Sequence, residues 1–108
     1  MATDGPQSSG EFLAVNRQRQ SAKIFVTIRN RLGLHARPAM SFVDTANGFS
    51  SEIRVRKGSQ SVDGKSIMQM MMLAATEGTE LQLEAEGDDA ELALTALRDL
   101  VDRRFDEE

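Results

Sequence analysis

The 108-residue sequence predicts a single α+β domain, in which three helices cover one face of a four-stranded, mainly antiparallel sheet. Four short segments alternate apolar and polar residues with the period of two that is typical of half-buried strands. Three other segments carry apolar residues at helical spacing, and the order along the chain is β-α-β-β-α-β-α. A chain of this length can build one core but not a two-domain enzyme with a deep cleft.

The first predicted elements are a strand and a helix. Alternation from Lys23 onward predicts a strand that ends near Asn30, with an inward face formed by Ile24, Val26 and Ile28. A helix follows Gly33 and Pro38 and stops at the Asn-Gly pair of residues 47–48. Its apolar stripe is formed by Ala39, Phe42, Val43 and Ala46.

A hairpin and a second helix are predicted next. Residues 52–62 alternate as two short strands around a turn at residues 57–59. The second helix is predicted over about residues 67–76, with Ser66 as its N-cap and Gly78 as its end.

The last strand and the third helix complete the predicted domain. Residues 80–86 alternate with Leu81, Leu83 and Ala85 on one side. The third helix opens at residues 87–88, where Asp88 and Glu91 have the spacing of a capping box. Its apolar stripe is formed by Ala90, Ala93, Leu94, Leu97, Leu100 and Val101.

Charge is distributed unevenly along the chain. The formal net charge of −4 argues against general binding of nucleic acid. Residues 21–66 hold eight Lys or Arg against three Asp or Glu, a balance of +5, whereas residues 67–108 hold three against twelve, a balance of −9. The basic part fits a site for anions or for acidic partners, and a solvated surface explains it equally well.

Other features of the composition indicate a cytoplasmic protein. The chain has no cysteine, which excludes disulfides, zinc-thiolate sites and thiol nucleophiles. Apolar runs of membrane-spanning length and a signal peptide are both lacking, so no membrane insertion is expected. Residues 1–20 have one short apolar patch at residues 12–15 and are predicted to be a flexible extension of a domain over residues 21–108.

His35 is the candidate reactive residue. It is the only histidine, and no cluster of metal-ligating residues accompanies it, so neither a metal nor another cofactor is expected. A lone histidine is most often a surface or capping residue, but this one lies at the start of a predicted helix, where unpaired amides favour anions. Arg37 adds a cation with donors for phosphate oxygens. A neutral imidazole there can attack phosphorus, whereas a self-sufficient hydrolase or transferase would need a paired acid and base that the sequence lacks.

Two motifs carry a resemblance to a known family. The segment GLHARPA at residues 33–39, followed by GKSIM at residues 64–68, resembles HPr, the histidine-containing phosphocarrier family of the bacterial phosphoenolpyruvate-dependent phosphotransferase system. The resemblance runs from about Lys23 to Phe105 and implies an open-faced β-sandwich, in agreement with the predicted order of elements.

The resemblance also implies roles for individual residues. His35 would take a phosphoryl group on Nδ1 from phosphorylated enzyme I and deliver it to an enzyme IIA domain, in a sugar-transport or a nitrogen-type regulatory branch. Arg37 would steady the phosphoryl group. Ser66 would be the regulatory serine that an HPr kinase/phosphorylase phosphorylates in many relatives. The protein would then be a carrier rather than an enzyme, and nothing in the sequence demands more than a monomer.

Ser66 has a structural explanation as well, since a serine that opens a helix is usually only an N-cap. The two roles are compatible, because phosphate is favoured at a helix N-terminus. An alternative function is therefore a non-catalytic regulatory binding module that Ser66 phosphorylation switches. The Gly64-Lys65-Ser66 run is not a P-loop, because Gly58 lies six positions before Gly64 and that motif needs five.

The second predicted helix is apolar on more than one side. The residues placed to supply a core face are Ile67, Met70, Leu73 and Ala74. Met68, Met71 and Met72 exceed what so small a core can bury, and exposed methionine forms adaptable contact surface. The resemblance assigns Ile67, Met68 and Met71 to the partner-binding patch, with Lys65 beside them. Weaker candidates among the basic residues are Arg29, Arg31, Arg54, Arg56 and Lys57.

Overall fold

Strands and helices alternate in the predicted order along residues 20–107, the part of the chain that the computed structural model describes. The predicted extension lies outside this part except for Gln20. The elements are β1 (Ser21–Thr27), α1 (Ala36–Ala46), β2 (Glu52–Lys57), β3 (Gln60–Asp63), α2 (Ile67–Met72), β4 (Glu80–Glu86) and α3 (Ala90–Asp102). None of the helices within residues 20–107 is long and apolar enough to cross a membrane.

The four strands form one antiparallel sheet in the order β1-β4-β2-β3. One row of paired residues across all four strands is apolar and consists of Ile24, Leu83, Val55 and Val62. The neighbouring row points to the opposite face and alternates in charge through Lys23, Glu84, Arg54 and Asp63. The sheet therefore has one apolar and one polar face, which confirms the predicted fold class.

The helices bury their apolar stripes on the apolar face of the sheet. The predicted stripe of α1 is fully buried, and so are all six stripe residues of α3. Met70 and Leu73 add the contribution of α2, at 0% and 1% exposure. Burial of these side chains against the sheet is the main favourable term for the domain.

Helix α2 is shorter than predicted, since it ends at Met72 rather than near Thr76. Ala74 adopts a left-handed conformation with φ of 49°, which turns the chain so that Leu73 and Ala75 both reach the core. The Lys57 Nζ donates to the Leu73 carbonyl at 2.8 Å, which satisfies one of the carbonyls that the helix end leaves unpaired. Gly78 lies in the turn before β4 instead of ending the helix.

Two other element boundaries differ from the predicted ones. Strand β1 ends at Thr27 rather than near Asn30, although Ile28 still exchanges backbone hydrogen bonds with residues 78–79. The N-cap position of α3 is Asp89, so the predicted capping box of Asp88 and Glu91 is wrong by one residue. The Asp89 carboxylate accepts hydrogen bonds from Ser50 and Ser51 instead of capping its own helix.

Candidate functional site

His35 occupies the N-cap position of α1, as the sequence predicted, and its backbone is extended with φ of −79° and ψ of −171°. The loop before it is held against the segment that follows α2, because the Leu34 amide donates to the Ala75 carbonyl at 2.8 Å. Gly33 has φ of 73°, and a Cβ there would lie 2.5 Å from the Ala75 carbonyl oxygen. Only glycine allows this close approach, so Gly33 positions His35.

The start of α1 has the features of an anion-binding helix end. The amides of Ala36 and Arg37 have no carbonyl partner within a helix that begins at Ala36, and Pro38 has no amide hydrogen. The His35 side chain does not cap these amides. They and the positive end of the helix dipole are therefore available to negatively charged oxygens.

A cleft of about 490 Å³ adjoins this helix end. Its lining residues are Arg31, Leu32, Arg37, Ser41, Phe105, Asp106 and Glu107. The exposed Arg37 lines this cleft, and Arg31 brings a second guanidinium to it. The His35 side chain is 39% exposed and contacts the cleft through Glu107, so it is accessible to a docking protein.

The imidazole of His35 is hydrogen-bonded to the end of the described chain. Its Nε2 lies 3.1 Å from Oε2 of Glu107, 72 residues away in sequence. Oε1 of the same carboxylate accepts from Nδ2 of Asn30 at 3.1 Å. Asn30 is 1% exposed and also donates to the Gly33 carbonyl at 2.7 Å. A buried amide, a carboxylate and the histidine thus form one chain of hydrogen bonds.

A left-handed turn carries Glu107 to this position. Arg104, Phe105 and Asp106 have φ of 59°, 55° and 62°, a conformation that costs roughly 1–2 kcal/mol per residue in side chains with a Cβ. Phe105 is 6% exposed and belongs to the core cluster. Burial of its ring offsets part of the backbone cost and anchors the turn.

Ser66 is the N-cap of α2, as predicted. Its hydroxyl accepts from the Gln69 amide at 3.2 Å. The Gln69 side chain reaches back to the Asp63 amide at 2.9 Å, so the start of the helix is held from both directions. Ser66 is partly exposed, which leaves its hydroxyl within reach of a modifying enzyme.

Helices α1 and α2 pack against each other and carry most of the exposed apolar side chains. Within residues 20–107, six of the eight exposed large apolar residues lie on these helices or in the loop before α1; we call these six the apolar patch, and they are Leu32, Met40, Ile67, Met68, Met71 and Met72. Met68 is 78% exposed. Of the four residues predicted to form the core face of α2, Met70 and Leu73 are buried, whereas Ile67 and Ala74 are exposed. Ala74 lies beyond the end of the helix, in a left-handed conformation.

The basic candidates are divided between structural and surface positions. Lys65 Nζ donates to the Phe49 carbonyl at 2.7 Å, so its ammonium is already held by the fold, like that of Lys57. Arg54 and Arg56 lie on the polar face of the sheet, away from the helices, where Arg56 pairs with Glu84. Nε of Arg29 lies 3.9 Å from Oδ1 of Asp102. Arg31 and Arg37 are the two arginines that line the cleft.

Sequence reasoning missed Asn30, Glu107, Leu32 and Met40. Leu32 and Met40 carried a signal, because both are apolar and fall outside the predicted core stripe. Asn30 carried a weaker signal, as a polar residue that continues the alternation of the buried Val26 and Ile28. Glu107 carried none, since its role depends on a contact with a residue 72 positions away.

Comparison with known proteins gives one consistent family. Residues 22–103 match the family model described as the PTS HPr component phosphorylation site. The phosphocarrier protein HPr of Pseudomonas aeruginosa is 52% identical over 83 residues, covering 76% of this chain and 92% of the relative. HPr of Neisseria meningitidis is 49% identical over 82 residues, with the same coverage of 76% and 92%.

Solved structures give the same family. A crystal structure of HPr-C-His from Thermoanaerobacter tengcongensis superposes with a TM-score of 0.78 at 48% identity, covering 81% of this chain and 98% of that one. A crystal structure of an HPr dimer from the same organism gives a TM-score of 0.65 at 50% identity, covering 76% and 94%.

Proposed function

The chain belongs to the HPr family of phosphotransferase-system phosphocarriers, and from this premise we propose that His35 accepts a phosphoryl group from phosphorylated enzyme I and passes it to an enzyme IIA domain. One observation carries the assignment to this residue. The only histidine of the chain lies half-exposed at the start of α1, beside Arg37, within the part matched to the family's phosphorylation-site model.

The transfer proceeds by nucleophilic attack of a neutral imidazole nitrogen, Nδ1, on the phosphorus of the donor phosphohistidine. The new N–P bond forms as the old one breaks, and the donor imidazole keeps the electron pair of the broken bond. Negative charge on the three transferred oxygens faces the amides at the start of α1 and the Arg37 guanidinium, which stabilise it without rearranging. Bonds of the same type are broken and formed, so the step is readily reversible.

The partner proteins complete each active site. The cleft beside His35 is lined by Arg31 and Arg37 and by the carboxylates of Asp106 and Glu107, of which Glu107 is hydrogen-bonded to the histidine, and the phosphoryl donor and acceptor come from the partners. The apolar patch supplies adaptable contact area next to the histidine, and Ile67, Met68 and Met71 are its central docking residues. Lys65 contributes through the position of its backbone more than through its charge, because the Phe49 carbonyl holds its ammonium.

Phosphorylation of Ser66 regulates docking in this proposal. A phosphate there adds a charge of about −2 at the start of α2, and its oxygens can replace the hydroxyl as acceptor for the Gln69 amide. The helix would keep its N-cap, and the phosphate would place negative charge beside the apolar patch. An HPr kinase/phosphorylase is the corresponding partner. The alternative of a purely regulatory module rests on this same serine.

The test is phosphorylation of the full chain with phosphoenolpyruvate and enzyme I. We expect one phosphoryl group per molecule, labile in acid and stable in alkali, and no label in His35→Ala. Ser66→Ala is the matched control and should be labelled like the wild type. Absence of label from the wild type, or persistence of label in His35→Ala, would overturn the proposal and leave the regulatory module as the better reading.

We propose that the free protein is a monomer in the cytoplasm that needs no cofactor and binds no nucleic acid. Sedimentation at micromolar concentration is the direct test of the oligomeric state. A dimer, as in the related structure from Thermoanaerobacter tengcongensis, would contradict the monomer without affecting His35.

A further inference from the structure

We propose that Glu107 and Asn30 set the tautomer of His35, so that Nε2 carries the proton and Nδ1 carries the reactive lone pair. The inference rests on the proposed function and adds two positioning residues to it. It follows from the chain of hydrogen bonds that joins the end of the described chain to the histidine.

The direction of the histidine bond is determined by its partner. An ionised carboxylate only accepts hydrogen bonds, so the ring nitrogen facing Oε2 of Glu107 must be the donor. In the neutral imidazole only one nitrogen bears hydrogen. The lone pair is therefore on Nδ1, the nitrogen that the family resemblance assigns to phosphoryl transfer.

Asn30 holds the carboxylate in place. Both groups within reach of its Nδ2, the Gly33 carbonyl and Oε1 of Glu107, are acceptors, so the orientation of the amide is unambiguous. The side chain is buried, and its Oδ1 lacks a partner within residues 20–107, so the two donated bonds determine its position. Oε1 of Glu107 is therefore bound to the buried Asn30 amide, while Oε2 is hydrogen-bonded to the His35 ring.

The C-terminal turn delivers the carboxylate. Phe105 is buried, and the Glu107 amide donates to the Arg104 carbonyl at 2.9 Å. Three consecutive left-handed residues are a costly conformation that this segment would not hold without the buried Phe105. The turn therefore places an ordered acceptor beside His35.

The same carboxylate favours the transfer step itself. When Nδ1 attacks phosphorus, the N–P bond forms while Nε2 keeps its proton, so positive charge develops on the ring. The Glu107 carboxylate faces that charge, in the manner of a carboxylate that orients a catalytic histidine and stabilises its cationic form. Glu107 and Asn30 touch neither the donor nor the phosphoryl group, so both act through His35.

Glu107→Gln is the discriminating variant. If the glutamine oxygen accepts from Asn30, its NH2 group faces Nε2 and requires that nitrogen to accept, which moves the proton to Nδ1. The tautomer should therefore reverse. Asn30→Ala should leave a mixture of the two His35 tautomers, because the Glu107 carboxylate is no longer held in one position. Asp99→Asn is the matched control, since it removes an exposed carboxylate of α3 that does not line the cleft.

Two measurements on the full chain test the proposal. The first is the ¹⁵N chemical shifts of the His35 ring at alkaline pH, where Nε2–H should dominate in the wild type and in Asp99→Asn, and Nδ1–H in Glu107→Gln. The second is the rate of phosphorylation by phosphoramidate, a small donor that needs no docking. That rate should fall about tenfold in Glu107→Gln, the size of a charge-assisted hydrogen bond at a partly exposed site.

The outcomes separate the two proposals. An Nδ1–H tautomer in the wild type, or a reversed tautomer with an unchanged rate, would overturn the positioning role while His35 remains the carrier. A wild type that reacts with neither phosphoramidate nor enzyme I would overturn the carrier function, and with it the positioning role. A reversed tautomer in Glu107→Gln together with a reduced rate of phosphorylation supports both the carrier function and the positioning role.

Discussion

At the scale of single residues, Asp89 shows how a side chain at a helix start is used elsewhere in the fold. Its carboxylate accepts from the Ser51 hydroxyl at 2.5 Å and from the Ser50 and Ser51 amides at 2.9 and 3.0 Å. The Ser51 hydroxyl first, and then the Ser50 amide, lower the pKa of Asp89 from 3.8 to about 2. The bonds tie the start of α3 to the loop before β2.

Asp89→Asn should therefore change how stability depends on pH. Because the pKa of Asp89 is lower in the folded than in the unfolded chain, its ionised form favours folding. This contribution is complete above about pH 4 and is lost as the pH falls from there towards 2. Thermal unfolding of wild type and variant should differ most at neutral pH and converge near pH 2. Asp88→Asn, one residue earlier and exposed, should follow the wild type. A constant difference down to pH 2 would contradict the assignment.

At the scale of elements, α2 is a helix of six residues that its own hydrogen bonds alone would not stabilise. Ser66 and Gln69 satisfy its start, while Lys57 and Gln60 donate to the carbonyls of its end. Met70 and Leu73 hold it on the core. The helix can then present Met68 and Met72 to solvent, because the residues that hold it in place are separate from those it exposes.

Ala74→Gly should stabilise the protein. Ala74 follows the C-cap Leu73 in a left-handed conformation, at the position where helices favour glycine. Relief of that conformation should raise the free energy of unfolding by about 1 kcal/mol, measured by urea denaturation. Ala96→Gly, inside α3, should lower it by up to about 1 kcal/mol. A loss of stability in Ala74→Gly would show that Ala74 does not have this conformation.

At the scale of the whole molecule, the two sides of the sheet differ in chemistry. The polar face carries alternating charges, some of them paired, whereas the helical side carries the apolar patch around the histidine. Apolar side chains concentrated on one side favour docking there. The uneven charge along the sequence is therefore less informative than the arrangement of side chains that folding produces.

Met68→Ala should weaken docking without weakening the fold. Because the side chain is 78% exposed, stability should change by less than about 0.5 kcal/mol. The Kd for enzyme I, measured by calorimetry, should rise about tenfold, since a methionine side chain is then no longer buried in the complex. Leu92→Ala is the matched control, because Leu92 is 68% exposed on α3 and should leave the Kd unchanged. Equal effects of the two substitutions would show that the patch is not the docking site.

Local periodicity was sufficient for the order of elements, the sheet class, the core stripes of α1 and α3, and the placement of His35, Arg37 and Ser66 at or near helix starts. These features depend on neighbouring residues, so the sequence by itself determined them. Tertiary structure decided the early end of α2, where Leu73 and Ala75 must both reach the core, and the use of Asp89 by a distant loop. It also brought Asn30 and Glu107 to His35. The physical reason is that such contacts join residues far apart in the chain, and only the packed core brings them within hydrogen-bonding distance.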